Sequence, residues 1–287
     1  MNKSIAGLNY INETKQLMKA VLVEKEVNVS DSDTFRSYVS KFQNADRWHP
    51  PKNSYDIDEI IAEDTEDYNG KLIMLLTNEK ETTDFYSNLS CAKIKTSDGA
   101  EYDDFSSVIN HTWDASKDKN DTRYVILYYS NNINIEGAYG NRLSNCIYMI
   151  YKGNGKNSCW HSNPDRWHSA FTNLKKIKFD NITVNFFDNF SVTRCIDIEN
   201  CKFGWRSSFH SISATSLRNL TISNITNSFT LNTATNLSHE SLLNVLNALK
   251  DYSESTAVYT LSIGFLNIKK LSDEELAIAT DKGWTII

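Results

Sequence analysis

An α+β chain ending in a β/α solenoid is the architecture this sequence predicts, from three observations. Residues 238–253 (SHESLLNVLNALKDYS) have the periodicity of an amphipathic helix, and a short apolar strand follows at Val258-YTLSIG. A second short helix and the terminal Gly283-Trp-Thr-Ile-Ile then repeat that strand-plus-helix unit. Upstream, Leu217, Leu220, Ile222 and Ile225 have the spacing of inward positions in one leucine-rich-repeat-like coil. The same frame recurs at Leu174, Ile177, Phe179 and Ile182, at Ile196, Ile198 and Cys201, and at Leu261, Ile263 and Leu266. Its steps are irregular, about 19, 24 and 40 residues, with an extra strand at Phe229 and Leu231 dividing the last gap. An ordinary β-rich domain, in which alternation alone generates such matches, is the competing reading.

The expected organisation is a helical hairpin over residues 1–51, a small α/β domain over 52–136 and an irregular solenoid over 137–287. Ile11, Thr14, Met18, Val21 and Leu22 lie on helical spacing behind Asn12 as an N-cap, giving a first helix of about three turns. Asp31 or Asp33 then caps a second helix carrying Phe35, Tyr38, Val39 and Phe42 at i, i+3, i+4 and i+7. Two short helices bury little by themselves, so this hairpin must dock on the chain's own body or on a neighbouring subunit. Pro50 and Pro51 end it, because neither has an N–H to donate.

From Tyr55 to Asp67 the chain carries seven acidic residues and no basic one, the pattern of a solvated helix face. Lys71-LIMLLT and Tyr124-VILYYS are rich in branched and aromatic residues and read as buried strands of one sheet. Cys91-AKIKTSDGAEYDDF between them reads as a hairpin turning at Asp98-Gly99. The polar stretch after Asn110 holds Asp114, Asp118 and Asp121, whose spacing does not match a calcium loop, so they read as loop residues.

Composition narrows the function classes. The chain has 287 residues, a net charge of −6 and no stripe of Lys and Arg, which argues against nucleic acid as a partner. No stretch approaches the roughly 20 apolar residues of a membrane span, and no secretory leader is evident, so membrane insertion is not expected and folding in a cytoplasm is. Five cysteines without a Cys-x-x-Cys pair indicate reduced, packed thiols rather than a disulfide framework or a zinc knuckle.

The tetrapeptide Asp-Arg-Trp-His occurs twice, at Asp46–His49 and Asp165–His168, with Cys159-Trp160-His161 just before the second copy. Cys159, His161 and His168 have ligand chemistry but no established metal spacing. Trp160 and Trp167, with Tyr151 and Trp205, offer flat faces with a polar edge, suited to receptor or glycan contact; capping the solenoid or packing a loop against the preceding domain is the competing reading. No nucleophile elbow, phosphate-binding loop or zinc-protease helix is present. Asp180, Asp188, Asp197 and Glu199 are the carboxylates from which a glycan-cleaving pair would be drawn, a chemistry that leaves no sequence signature.

Three stretches resemble tail and baseplate-associated proteins of phages that infect Firmicutes and of the contractile particles derived from them. They are residues 8–42, with Thr34-Phe-Arg-Ser-Tyr the most recognisable piece; the 55–77 region with Thr96-SDGAEY, His111-TWDASKDK and Thr122-RYVILYYS; and the leucine-rich end, residues 236–287. The resemblance implies a non-enzymatic virion structural protein of a phage tail or baseplate, assembled in the bacterial host cytoplasm and needing no cofactor. It would dock on other tail proteins through Met18, Val21, Phe35, Tyr38 and Phe42 and present its solenoid as a tail-fibre-like module for host attachment. Its second class of partner would be a host cell-surface glycan or protein. A bacterial leucine-rich surface adhesin and a glycan depolymerase on the same scaffold are the alternatives.

Overall fold

The computed structural model describes residues 12, 14–20, 30, 34, 38, 48, 50–86, 91–103, 108–118, 121–135, 144–161, 171, 173–184, 195–203 and 216–287. The chain divides into two compact units, Met1–Trp48 and His49–Ile287. In the first unit, residues 12 and 14–20 are helical. Tyr38 is also helical and fully buried; its N–H donates to the Thr34 carbonyl at 3.1 Å, and the Lys15 ammonium stands 5.7 Å from its ring centroid.

The second unit is built on strands. β1 (Gly70–Thr77), β3 (Cys91–Thr96), β4 (Glu101–Asp103), β6 (Thr122–Tyr129), β8 (Cys146–Lys152), β10 (Lys176–Asp180), β12 (Cys195–Glu199) and β14 (Asn219–Ile222) form one eight-stranded sheet. Its order is β14-β12-β10-β8-β1-β6-β3-β4. β1 runs antiparallel to both β6 and β8, whereas β8, β10, β12 and β14 are mutually parallel, so the sheet is mixed. β2 (Thr82–Tyr86) and β5 (Val108–Thr112) make a separate antiparallel pair. The short strands β7 (Ile133–Ile135), β9 (Ser158–His161), β11 (Thr183–Val184) and β13 (Lys202–Phe203) form a second, parallel sheet.

Register assigns every residue of the large sheet to one of two faces. Leu72 faces Leu127 and Tyr151, and Met74 faces Val125 and Met149. Across the parallel strands Met149, Ile177, Ile196 and Leu220 align, as do Tyr151, Phe179, Ile198 and Ile222. All of these are buried in the main apolar core. The stacked rings of Tyr151 and Phe179, with centroids 4.9 Å apart, lie in one of these rows. The other face carries Lys71, Ile73 and Leu75 on β1, Tyr124, Ile126 and Tyr128 on β6, and Lys176, Lys178 and Asp180 on β10.

The expected fold class is therefore corrected. The chain is mostly β around a large mixed sheet with few helices; it is not a helical segment and a small α/β domain followed by a leucine-rich-repeat-like solenoid. The inward positions read from the 174, 196 and 217 frames are buried, as are Leu261 and Ile263 of the last frame, but Leu266, its third member, is exposed. The strands of the first three frames, however, continue the same sheet that holds β1 and β6, instead of forming coils of a separate solenoid. Alternation reports only that one face of a strand is covered, and covering by a sheet layer or by the next coil writes the same pattern.

Turns after three of the parallel strands share one device. Asn181, Asn200 and Asn224 have φ of 52°, 53° and 57°, the left-handed conformation that asparagine tolerates better than other side-chain-bearing residues. The last strand, β14, would leave a bare edge, and helix α2 (His239–Ala248) closes it. Ser238 caps α2 by accepting the Ser241 N–H. Val245, Leu242 and Leu246 bury its apolar face. β15 (Phe229–Thr230), β16 (Tyr259–Ser262) and β17 (Trp284–Ile286) then form a three-stranded parallel sheet. Between β16 and β17 come a four-residue helix α3 (Phe265–Ile268) and α4 (Asp273–Asp281), the latter opened by a capping box of Ser272 and Glu275.

Candidate functional site

Part of the outer face of the large sheet is covered by α1 (Ile57–Glu63) and the segment that follows it. Asp56 caps α1, its Oδ1 accepting the N–H groups of Asp58 at 2.8 Å and Glu59 at 3.4 Å. Ile57 and Ile60 are its buried residues, while Asp58, Glu59 and Glu63 stay exposed. With only seven residues α1 is too short to reach across every strand. A cavity of about 270 Å³ is left between its end, the β3–β4 hairpin and β6. Ile60 and Ile126 contribute apolar surface; Glu63, Asp64, Lys95, Glu101, Tyr124 and Tyr128 contribute polar groups.

Ion pairs and a hydrogen bond hold four of these side chains, Asp64, Lys95, Glu101 and Tyr128. Asp64 Oδ2 lies 2.6 Å from Lys71 Nζ, and the Tyr128 hydroxyl donates to Asp64 Oδ1 at 2.8 Å. Glu66 Oε1 meets Lys95 at 2.6 Å and Lys93 at 2.9 Å, and Glu101 meets Lys93 at 3.0 Å. The ammonium groups of Lys95 and Lys93 hold the Glu66 carboxyl down to about 2, and Lys93 likewise lowers Glu101. Burial pushes the Tyr124 and Tyr128 phenols up, Asp64 adding to the effect on Tyr128. Glu66 and Glu101 are thus fixed acceptors and the two phenols fixed donors. A proton-donating carboxyl in glycoside cleavage needs the opposite shift, toward neutral pH.

A second polar cluster sits where the β3–β4 hairpin meets β5. His111 is 3% and Asp98 6% exposed. His111 Nε2 lies 3.1 Å from Asp98 Oδ2, and the Tyr102 hydroxyl lies 2.7 Å from His111 Nδ1. Because an ionised carboxylate only accepts, the network assigns the proton to Nε2 and makes Nδ1 the acceptor of the Tyr102 hydroxyl. Asp98 also accepts the Thr96 hydroxyl and the Asp114 N–H. Trp113 closes the cluster edge-on to His111 at 4.5 Å, with its Nε1 donating to Thr83 Oγ1 and the Arg123 guanidinium over its ring. Arg123 is itself held by both oxygens of Asp118. Asp114 and Asp118, read as plain loop residues, therefore cap the 3₁₀ turn Ala115–Lys117 and anchor an arginine.

Three of the four carboxylates considered for glycan cleavage are matched by a lysine. Asp180 pairs with Lys152 at 3.0 Å, Asp197 with Lys176 at 2.9 Å and Glu199 with Lys178 at 3.1 Å. Asp188 lies outside the described residues. Among the described residues no three His, Cys, Asp or Glu side chains converge as a metal site.

Of the residues expected to dock, Met18 is helical and half-buried and Tyr38 is fully buried. Val21, Phe35 and Phe42 lie outside the described residues, as do Trp167, Trp205 and the Trp160 side chain, whose backbone belongs to β9. A group of exposed apolar residues lies at the other end, and it includes Leu266, which the spacing places inward. Phe265, Leu266 and Ile287 are 67%, 56% and 58% exposed. The Ile287 carbonyl accepts the N–H groups of Ile263 and Gly264, the two residues that precede Phe265. β17 pairs with β16 on one side and has no partner strand on the other among the described residues.

No family model, no curated protein and no solved structure matches this chain.

Proposed function

We propose that this protein is a non-enzymatic structural component of a phage tail or baseplate, or of a phage-derived contractile particle. Its N-terminal unit attaches it to other tail proteins, and its β-rich body is presented for further contact. The observation that carries the reading is the C-terminal end. Phe265, Leu266 and Ile287 stand in solvent in the same C-terminal part that carries the open edge of β17, inside the stretch that resembles the leucine-rich ends of such tail proteins. Exposed apolar side chains and an unpaired strand edge are features of an assembly surface, and a monomer in isolation protects such edges. Symmetric copies on one particle would turn weak single contacts into avidity.

Deletion of residues 1–45 tests the attachment role. The shortened chain should remain folded, by circular dichroism, and should be missing from purified particles. Normal incorporation would refute the assignment of that segment, and electron microscopy that finds no labelled copy on any particle would refute the whole reading.

A further inference from the structure

We propose that the cavity between α1, the β3–β4 hairpin and β6 binds one ring of an uncharged or amine-bearing sugar. This reading does not depend on membership of a particle. Size is the first argument. At about 270 Å³ the cavity falls just below the roughly 300–1,000 Å³ typical of drug-sized ligands, so it suits a single ring.

The lining supplies the second argument. Sugars present hydroxyl groups that both donate and accept, around a ring with an apolar C–H face. Here Lys95, Tyr124 and the Thr65 hydroxyl offer donors, while the side-chain oxygens of Glu63 and Glu101 offer acceptors. Ile60, Ile126 and the Tyr124 ring supply apolar surface for the C–H face. Lys95 and Tyr128 are also pre-set. Lys95 is held by Glu66 and Glu101, and Tyr128 by Asp64, so little side-chain freedom remains to be lost on binding.

Charge selects among sugars. Glu63, Asp64 and Glu101 line the cavity beside Lys95, and with Glu66, Lys71 and Lys93 of the same ion-pair network the carboxylates outnumber the ammonium groups four to three, so a phosphorylated or uronic ring would meet net repulsion. An amino group would gain from the same excess.

The test uses the full-length chain with glucose, galactose, N-acetylglucosamine and glucosamine as probes, and glucuronic acid and glucose 6-phosphate as anionic controls. Saturation-transfer NMR and calorimetry should detect at least one of the four probes binding with a Kd of about 1 mM or tighter. The anionic controls should bind at least roughly tenfold more weakly. The double variant Glu63→Ala, Glu101→Ala changes two exposed side chains; it should fold normally and lose binding by roughly tenfold or more. Absence of saturable binding by all four probes, equal binding of the anionic rings, or unchanged affinity in the folded double variant would each overturn the proposal.

Discussion

Asn244 Oδ1 accepts the backbone N–H of Ile222 at 2.7 Å, so a helix side chain takes the place that a ninth strand would fill. One position earlier on the same edge, Ser241 Oγ accepts the Leu220 N–H at 3.0 Å. Residues 241 and 244 sit one turn apart on α2, and residues 220 and 222 both point their N–H groups out of β14, so the two spacings coincide. Replacing Asn244 with Ala leaves the Ile222 donor without its acceptor and should cost about 1–3 kcal/mol, read from urea unfolding. The opened edge should also raise concentration-dependent association in sedimentation velocity. An unchanged midpoint and an unchanged monomer would show that the helix is not the edge's cap.

Leu220 is a direct probe of the core, because it ends the row Met149, Ile177, Ile196, Leu220 and is 1% exposed. Leu220→Ala should destabilise by about 2–5 kcal/mol. Leu220→Asp should prevent folding of the body, since it places an unpaired carboxylate among aliphatic side chains. Its neighbour Thr221 points to solvent, and Thr221→Ser should stay within about 0.5 kcal/mol of the parent. Thermal melts of the three variants side by side check the assignment of faces, and equal melting of all three would reject it.

Those faces were legible from the sequence because burial of alternate residues is a local signal. Ile177 and Phe179, Ile196 and Ile198, Leu220 and Ile222 are all inward, and the helix expected from residue 238 does begin there, behind Ser238, although it ends at Ala248 and not at residue 253. The sheet that joins them was not legible. β1 lies between β6, some 50 residues later, and β8, later still, and long-range pairing of this kind leaves no mark on either strand's pattern. For the same reason Asp98 was visible as a turn residue but its partner His111 was not, since nothing in the intervening residues announces that β5 returns to the hairpin. The asparagines after β10, β12 and β14 did carry a local signal: Asp180-Asn-Ile, Glu199-Asn-Cys and Ser223-Asn-Ile each end a strand with the same turn.

The five cysteines should behave as one buried class. None is in a disulfide and all are buried. Burial pushes the Cys91 thiol up to about 12 and Cys201 up to about 11, and raises Cys146 as well. Only the thiolate attacks a disulfide reagent, so the native protein should react slowly with Ellman's reagent at neutral pH. All five should react promptly in denaturant. Rapid titration of one or more thiols in the native state would place that cysteine at the surface.

His111 makes stability depend on pH in a window the sequence alone would not suggest. Burial lowers its affinity for a proton, with the Arg123 charge adding to the effect and the Asp98 carboxylate opposing it, so the folded chain holds the ring neutral. In the unfolded chain the ring titrates near its ordinary value of about 6.5. Between that value and the lower folded one, the unfolded state binds more protons, so stability must fall as pH falls through this interval. Asp98 continues the trend at lower pH. Burial by itself would raise its carboxyl, but hydrogen bonds from Thr96 and Asp114, joined by the charge of His111 once acid has protonated the ring, outweigh this and hold it below the usual carboxylate value. Its contribution is present above about 3.9 and is lost on further acidification. The His111→Gln variant keeps a polar side chain but cannot titrate. It should therefore show a shallower loss of unfolding free energy on acidification below about pH 6.5, whatever its stability at neutral pH. Parallel slopes for the two proteins across that interval would mean that another group sets the acid limit and that the ring is not held neutral in the fold.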